Sequence, residues 1–150
     1  MLRLKHMLPH TLLLLVFALF APLASAAHTP DYPDIHKLVI QVSTDDERTQ
    51  SIALNNAVNL QKAYGMDNVK VEIVAYGPGL SLLTQASKQS QRVSSLALQE
   101  ITFSACGNTM SKMEQKSGKP VQLSKGVQVV PAGVGRILEL QEQGYSYIRP

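Results

Sequence analysis

The chain has 150 residues, 14 Lys and Arg against 11 Asp and Glu, and 45% hydrophobic residues. A net charge of +3 without a basic cluster excludes the electrostatic footprint of a nucleic-acid binder. With one cysteine the chain can close no internal disulfide, so packing must hold the fold.

The N-terminus carries Arg3, Lys5 and His6, then the apolar stretch Leu12 to Phe20, Pro22 and Ala24-Ser-Ala26. This is the layout of a secretory signal peptide over residues 1–26, and it predicts a mature chain that starts at Ala27 in the periplasm. The apolar core is shorter than the roughly 20 residues of a membrane span, so no stable membrane insertion is expected after cleavage. Removing Arg3 and Lys5 from the 14 basic residues leaves 12 against 11 acidic ones, a net charge of +1. Residues 27–150 are the right length for one domain, which would bury roughly two thirds of its unfolded surface. In an oxidising compartment Cys106 must then be buried, functional or paired between chains.

Residues 28–36 mix Pro30 and Pro33 with polar side chains and read as an exposed lead-in. Lys37 to Val42 is a β-branched apolar run, as expected of a strand covered on both faces. Thr44 and Glu47 have capping-box spacing and predict a helix from about Asp45, with Ala53, Ala57, Leu60 and Tyr64 on its inner stripe and Gly65 at its end. A second strand, Val69 to Ala75, ends in the tight turn Tyr76-Gly-Pro-Gly79. Leu80, Leu83 and Ala86 suggest a short helix, and after a polar break Val93, Leu96 and Ala97 line a second one.

The third strand spans Glu100 to Ala105 and Cys106 follows it, with Gly107 as a turn and Asn108 or Thr109 as the cap of a helix containing Met110 and Met113. Residues 114–126 read as a loop, Gly126 to Val130 as a fourth strand ended by Pro131. A last helix with Val134, Ile137, Leu138 and Gln141 on one face closes at Gly144 and leads into the strand Tyr145 to Ile148. The order βαβαβαβαβ predicts a parallel sheet between helices with right-handed crossovers.

In such a sheet the segments after the strands converge at one edge, where ligands bind. Here they are Ser43, Tyr76-Gly77-Pro78-Gly79, Cys106-Gly107-Asn108-Thr109 and Pro131. The candidate site is therefore Cys106 as the reactive group, with Ser43, Tyr76, Gly77, Gly79, Gly107, Asn108 and Thr109 as candidate ligand-binding residues. Unpaired amides at a helix N-terminus favour a thiolate and lower its pKa. Against this stands the plainer reading of a free cysteine as a small buried hydrophobe. The glycine turn at 77–79 is by the same standard more often only a turn, and Met110 and Met113 suit core filling.

His28 and His36 have no partner at metal-ligand spacing, so neither a metal nor a cofactor is expected. Lys112, six residues after Cys106, has the place of the arginine in the loops of cysteine phosphatases and rhodaneses. A lysine lacks the planar fork that clamps an oxyanion, and Ala105 stands where phosphatases have histidine, which disfavours that chemistry.

Leu54-Asn-Asn-Ala, Leu60-Gln-Lys-Ala-Tyr-Gly65, Val74-Ala-Tyr-Gly-Pro-Gly79, Phe103-Ser-Ala-Cys-Gly-Asn-Thr-Met110, Val129-Val-Pro-Ala-Gly-Val134 and Leu140-Gln-Glu-Gln-Gly-Tyr-Ser-Tyr-Ile-Arg-Pro150 together resemble the exported branch of the DsrE/DsrF-like family. The resemblance covers essentially the whole mature domain. It implies a three-layer α/β/α sandwich, flavodoxin-like in outline, with a five-stranded parallel sheet, and assembly into homo-oligomers, trimers or hexamers.

In the sulfur-relay members of that family a cysteine after a central strand carries sulfur as a persulfide, and Cys106 has the matching position. With no second cysteine to resolve a persulfide, a sulfur donor and acceptor would have to be other molecules. Two readings are carried forward: a periplasmic persulfide carrier acting through Cys106, and a noncatalytic oligomeric module that holds a small anion at the carboxyl edge.

Overall fold

The computed structural model describes residues 35–150; the expected signal peptide and all but the end of the lead-in lie outside them. Five strands, β1 (His36–Val42), β2 (Val69–Ala75), β3 (Ile101–Cys106), β4 (Val127–Val130) and β5 (Ser146–Ile148), form one sheet in the order β4-β3-β2-β1-β5. Every pairing is parallel. Four helices connect them: α1 (Glu47–Tyr64), α2 (Ser90–Ala97), α3 (Gly107–Ser117) and α4 (Gly133–Glu142).

The order explains the layers. From β1 to β4 the chain steps in one direction, so right-handed crossovers put α1, α2 and α3 on one face; from β4 it returns past β1, which puts α4 on the other. The first face holds the main core, in which Ile40, Ile73 and Phe103 from the sheet meet Leu54, Ala57, Val93 and Leu96 from the helices. On the second face α4 alone buries Ile137 and Leu140 against Val39 and Val74.

Parallel register assigns Gln41, Glu72, Ser104, Cys106 and Gln128 to this second face, so it is largely polar. Tyr147 of β5 donates to Gln41 Oε1 at 2.8 Å, and Gln41 donates to Ser43 Oγ at 3.2 Å. The sheet is thus a dry sandwich on one side and a hydrogen-bonded surface under a single helix on the other.

β2 matches the sequence expectation residue for residue, and several boundaries differ for local reasons. Thr44 does not cap α1: its Oγ1 accepts from the Asp46 amide, and Asp46 is the cap, its carboxylate accepting from Thr49 N at 2.7 Å. That bond to Thr49 holds the Asp46 carboxyl below its ordinary pKa. The inner stripe of α1 is Gln50, Ala53, Leu54, Ala57 and Gln61, while Tyr64 is exposed and lies against the His36 ring.

The helix expected from Leu80 is a 3₁₀ helix over Gly77–Leu83. Glu100 has a left-handed backbone with φ 63°, so β3 starts at Ile101. On α4 the buried side is Gly133, Ile137 and Leu140; Val134 and Leu138, expected to face inward, are 63% and 58% exposed.

Candidate active site

Cys106 ends β3 and is also the N-cap residue of α3, with extended backbone at φ −72° and ψ 114°. The strand passes into the helix without a loop, so Gly107 is the first helical residue rather than a turn, and neither Asn108 nor Thr109 is the cap. The reason is steric. A Cβ on Gly107 would stand 3.2 Å from the Val130 carbonyl oxygen, so a glycine lets the helix start this close to the end of β4 without displacing that backbone.

The N-termini of α3 and α4 both lie at Cys106. Burial of Cys106 opposes its ionisation, but the hydroxyl of Thr109 and the backbone amides of Gly133, Thr109 and Asn108 outweigh that and hold its pKa below the ordinary thiol value. Thr109 is oriented for this: its Oγ1 accepts the Gly77 amide at 3.0 Å, which leaves its own hydrogen for the sulfur. The Asn108 amide is shared with the Pro131 carbonyl at 3.2 Å and contributes least. Gly133 opens α4, so the thiol lies at the N-termini of two helices on different connections.

Contact with Gly133 is close. A Cβ there would meet Tyr76 Cβ and Cδ1, each at 3.0 Å, and Cys106 Cβ at 3.3 Å. Tyr76, Gly77, Cys106, Gly107, Asn108 and Thr109 are therefore brought together as the sequence predicts, and the structure adds Gly133. The polar contacts of Ser43 run instead to Gln41, and Gly79 is buried against the end of β1, with a built Cβ only 2.2 Å from the Val42 carbonyl oxygen. Cys106 itself is 5% exposed.

Behind the thiol, on the same sheet face, lies a feature that the sequence reading missed. Glu72 is inside β2 with its side chain 4% exposed, and Arg136 of α4 meets it in a two-point fork, Nε to Oε1 and Nη2 to Oε2, both at 2.8 Å. Ser104 donates to Glu72 Oε1 at 2.6 Å and accepts from Gln128 Nε2 at 2.9 Å. Hydrogen bonding to Glu72 pushes the Arg136 pKa up, so the guanidinium stays charged. The signal in the sequence is a carboxylate set among apolar residues, Val71-Glu72-Ile73-Val74.

Among the described residues no group of three His, Cys, Asp or Glu is placed to hold a metal ion, and no helix is long and apolar enough to cross a membrane. Lys112 is exposed on α3.

No curated protein matches the chain. Among solved structures it is similar to MTH1491 of Methanobacterium thermoautotrophicum, described as a protein of unknown function, at 35% identity and a TM-score of 0.68, over 77% of this chain and 99% of that one. It also resembles in fold the ychN protein of E. coli, at 14% identity and a TM-score of 0.61, over 77% of this chain and all of the other. The DsrE/DsrF-like family profile matches residues 36–150, which span all five strands and the thiol site. By this match the chain belongs to the DsrE/DsrF-like family.

Proposed function

We propose that this protein is a periplasmic sulfur carrier in which Cys106 holds a sulfur atom as a persulfide. The observation that carries the reading is the placement of Cys106 at the carboxyl edge of the sheet, where β3 passes directly into α3 and Gly133 at the start of α4 packs against it. In loading, the Cys106 thiolate attacks the outer sulfur of a donor persulfide; a new S–S bond forms, the donor's S–S bond breaks, and the donor leaves as a thiolate. The proton of the outer sulfur travels with it, so nothing is oxidised overall.

Delivery is the same exchange in reverse. An acceptor thiolate takes the outer sulfur and Cys106 leaves as a thiolate. Donors that stabilise that thiolate make it a better leaving group as well as a more populated nucleophile. Membership of a family with sulfur-relay members supports this direction of reading.

The second reading, an oligomeric module that binds a small anion without chemistry, draws on the burial of Cys106. One experiment separates the two. Protein recovered from its own periplasm, and purified protein mixed with a persulfide donor, are measured by intact mass. The carrier reading expects a chain beginning at Ala27, additions of one sulfur mapped to Cys106, and loss of the added sulfur to an acceptor thiol. A chain that retains Met1 removes the export assignment, and a Cys106 that gains no sulfur removes the carrier.

Assembly into a homo-oligomer belongs to the same proposal. Val134 and Leu138 on the outer side of α4, with Val129 at 54% exposure on the edge strand, offer apolar surface that a symmetric contact would bury. Light scattering at micromolar concentration is expected to show a trimer or hexamer. Reducing buffer is needed so that a chance Cys106 disulfide is not counted. A monomer under those conditions would reject the assembly.

A further inference from the structure

Gly133 packs against Cys106, with its Cβ position 3.3 Å from Cys106 Cβ, and it belongs to a helix that no strand ladder ties to β3. α4 crosses the second face of the sheet and rests on it through Ile137 and Leu140 against Val39 and Val74. Such apolar contact is non-directional and sets a distance better than a register. Backbone carbonyls at the two ends of α4 accept from the Asn108 amide and from Lys37, and the directional side-chain link from the body of the helix to the sheet is Arg136, three residues after Gly133. Its fork grips Glu72 of β2, and Glu72 also accepts from Ser104, two residues before Cys106 on the same face of β3.

We propose that the Glu72–Arg136 pair is a positioning device for the Cys106 site, fixing the register of α4 on β2 and β3 so that the N-terminus of α4 stays against Cys106. The inference rests on Cys106 being an ionisable working thiol, and it assigns a role to a buried ion pair that sulfur chemistry does not itself use. Neither residue touches the reacting atoms.

Geometry favours this over a purely stabilising role. A buried ion pair contributes little net stability compared with apolar packing, and its best use is to specify one arrangement. A guanidinium fork accepts one orientation of its carboxylate, and Ser104 fixes that orientation from the strand that carries the cysteine. The opening turn of α4 has little freedom in return, since Gly133 is already wedged between Tyr76 and Cys106.

The other charged and titratable groups facing the pair are Glu139 of α4, 3.3 Å from Arg136 Nη1, and Tyr145 after α4, whose pKa burial and the Glu72 charge push up. Beside the thiol the titratable neighbour is Tyr76 of the turn after β2.

The test reads the thiol rather than sulfur transfer. The ultraviolet absorbance of the thiolate is followed against pH as the difference between each protein and the same protein carrying Cys106→Ser, which requires no access to the sulfur. Glu72→Gln keeps size and breaks the fork but leaves the Arg136 charge unpaired, which by itself would lower the thiol titration; the upward shift expected here, with alkylation near neutral pH slowed about two- to fivefold, therefore reads the displaced N-terminus of α4. Arg136→Lys keeps the ion pair but loses the fork, and is expected to shift the titration in the same direction by less.

If Glu72→Gln does not fold, Arg136→Lys decides alone. A folded variant with an unchanged thiol titration overturns the proposal. A wild-type protein that takes up no sulfur, while its variants still shift the titration, removes the carrier reading and leaves the positioning role standing.

Discussion

Gly79→Ala is expected to destabilise the protein by about 3 kcal/mol or more, at the upper end of what overpacking costs. The built Cβ would fall 2.2 Å from the Val42 carbonyl oxygen and 2.8 Å from the Ser43 nitrogen, both of them backbone, so no side-chain rotation can relieve the overlap. The Val42 carbonyl also accepts the Tyr76 amide at 3.1 Å, the bond that joins the end of β1 to the turn after β2. The added methyl must therefore break the carboxyl edge open. Against a total stability on the order of 5–15 kcal/mol, the loss would be plain in a denaturant titration.

Gly77 in the same turn provides the control. It has φ 54° and open space around its Cβ position, so Gly77→Ala should cost only the left-handed backbone penalty of about 1–2 kcal/mol. Equal costs at the two positions would show that the close approach at Gly79 relaxes freely.

Cys106→Ser is expected to abolish both alkylation and sulfur loading while changing stability by less than about 1 kcal/mol, because serine keeps the Thr109 and Gly133 partners and differs little in volume. In the wild type the alkylation rate should rise with pH to a midpoint below the free-thiol value of about 8.5. The sign follows from the donors. They bind the thiolate more tightly than the thiol, so the folded pKa lies below the unfolded one. The stabilisation this gives is complete above the unfolded value and is lost as pH falls through the folded one. A midpoint at or above 8.5 would show that burial wins over the donors, and the anion-binding reading would then replace the carrier.

How much of this was legible in the sequence depended on the range of each interaction. The bounds of β2 are legible to the residue because Val69, Val71 and Ile73 to Ala75 form a β-branched apolar pattern that stops at the Tyr76-Gly-Pro-Gly79 turn. The expected start of α1 falls two residues early, since Thr44, Asp45 and Asp46 are all competent caps and only the chain path out of β1 selects Asp46. On α4 the expected stripe is only partly the buried one: Ile137 faces the sheet, but Gly133 and Leu140 complete that side, and Val134 and Leu138 stay outside. The sheet face beneath carries Glu72 among its apolar residues, so Arg136 takes a place on the docking side that a periodicity argument gives to apolar residues.

The cysteine was legible because its chemistry is local: a strand end, a glycine and a helix start lie within a few residues. Its further partners were not. Gly133 reaches the thiol only after the chain has crossed β4, and Glu72 finds Arg136 across 64 residues. Nothing in either segment alone marks them as partners.

The path of α4 also bears on the order of folding. β1, first in the chain among the strands, lies between β2 and β5, and β5 arrives only after α4 has travelled from one margin of the sheet to the other. Its side-chain bond to β1, from Tyr147 to Gln41, joins residues 106 apart. Closure over so long a separation is slow and comes late. The native sheet cannot be completed until β5 has emerged from the ribosome, more than a hundred residues after the strand it pairs with, so β1 waits for its second neighbour throughout the synthesis of everything between them.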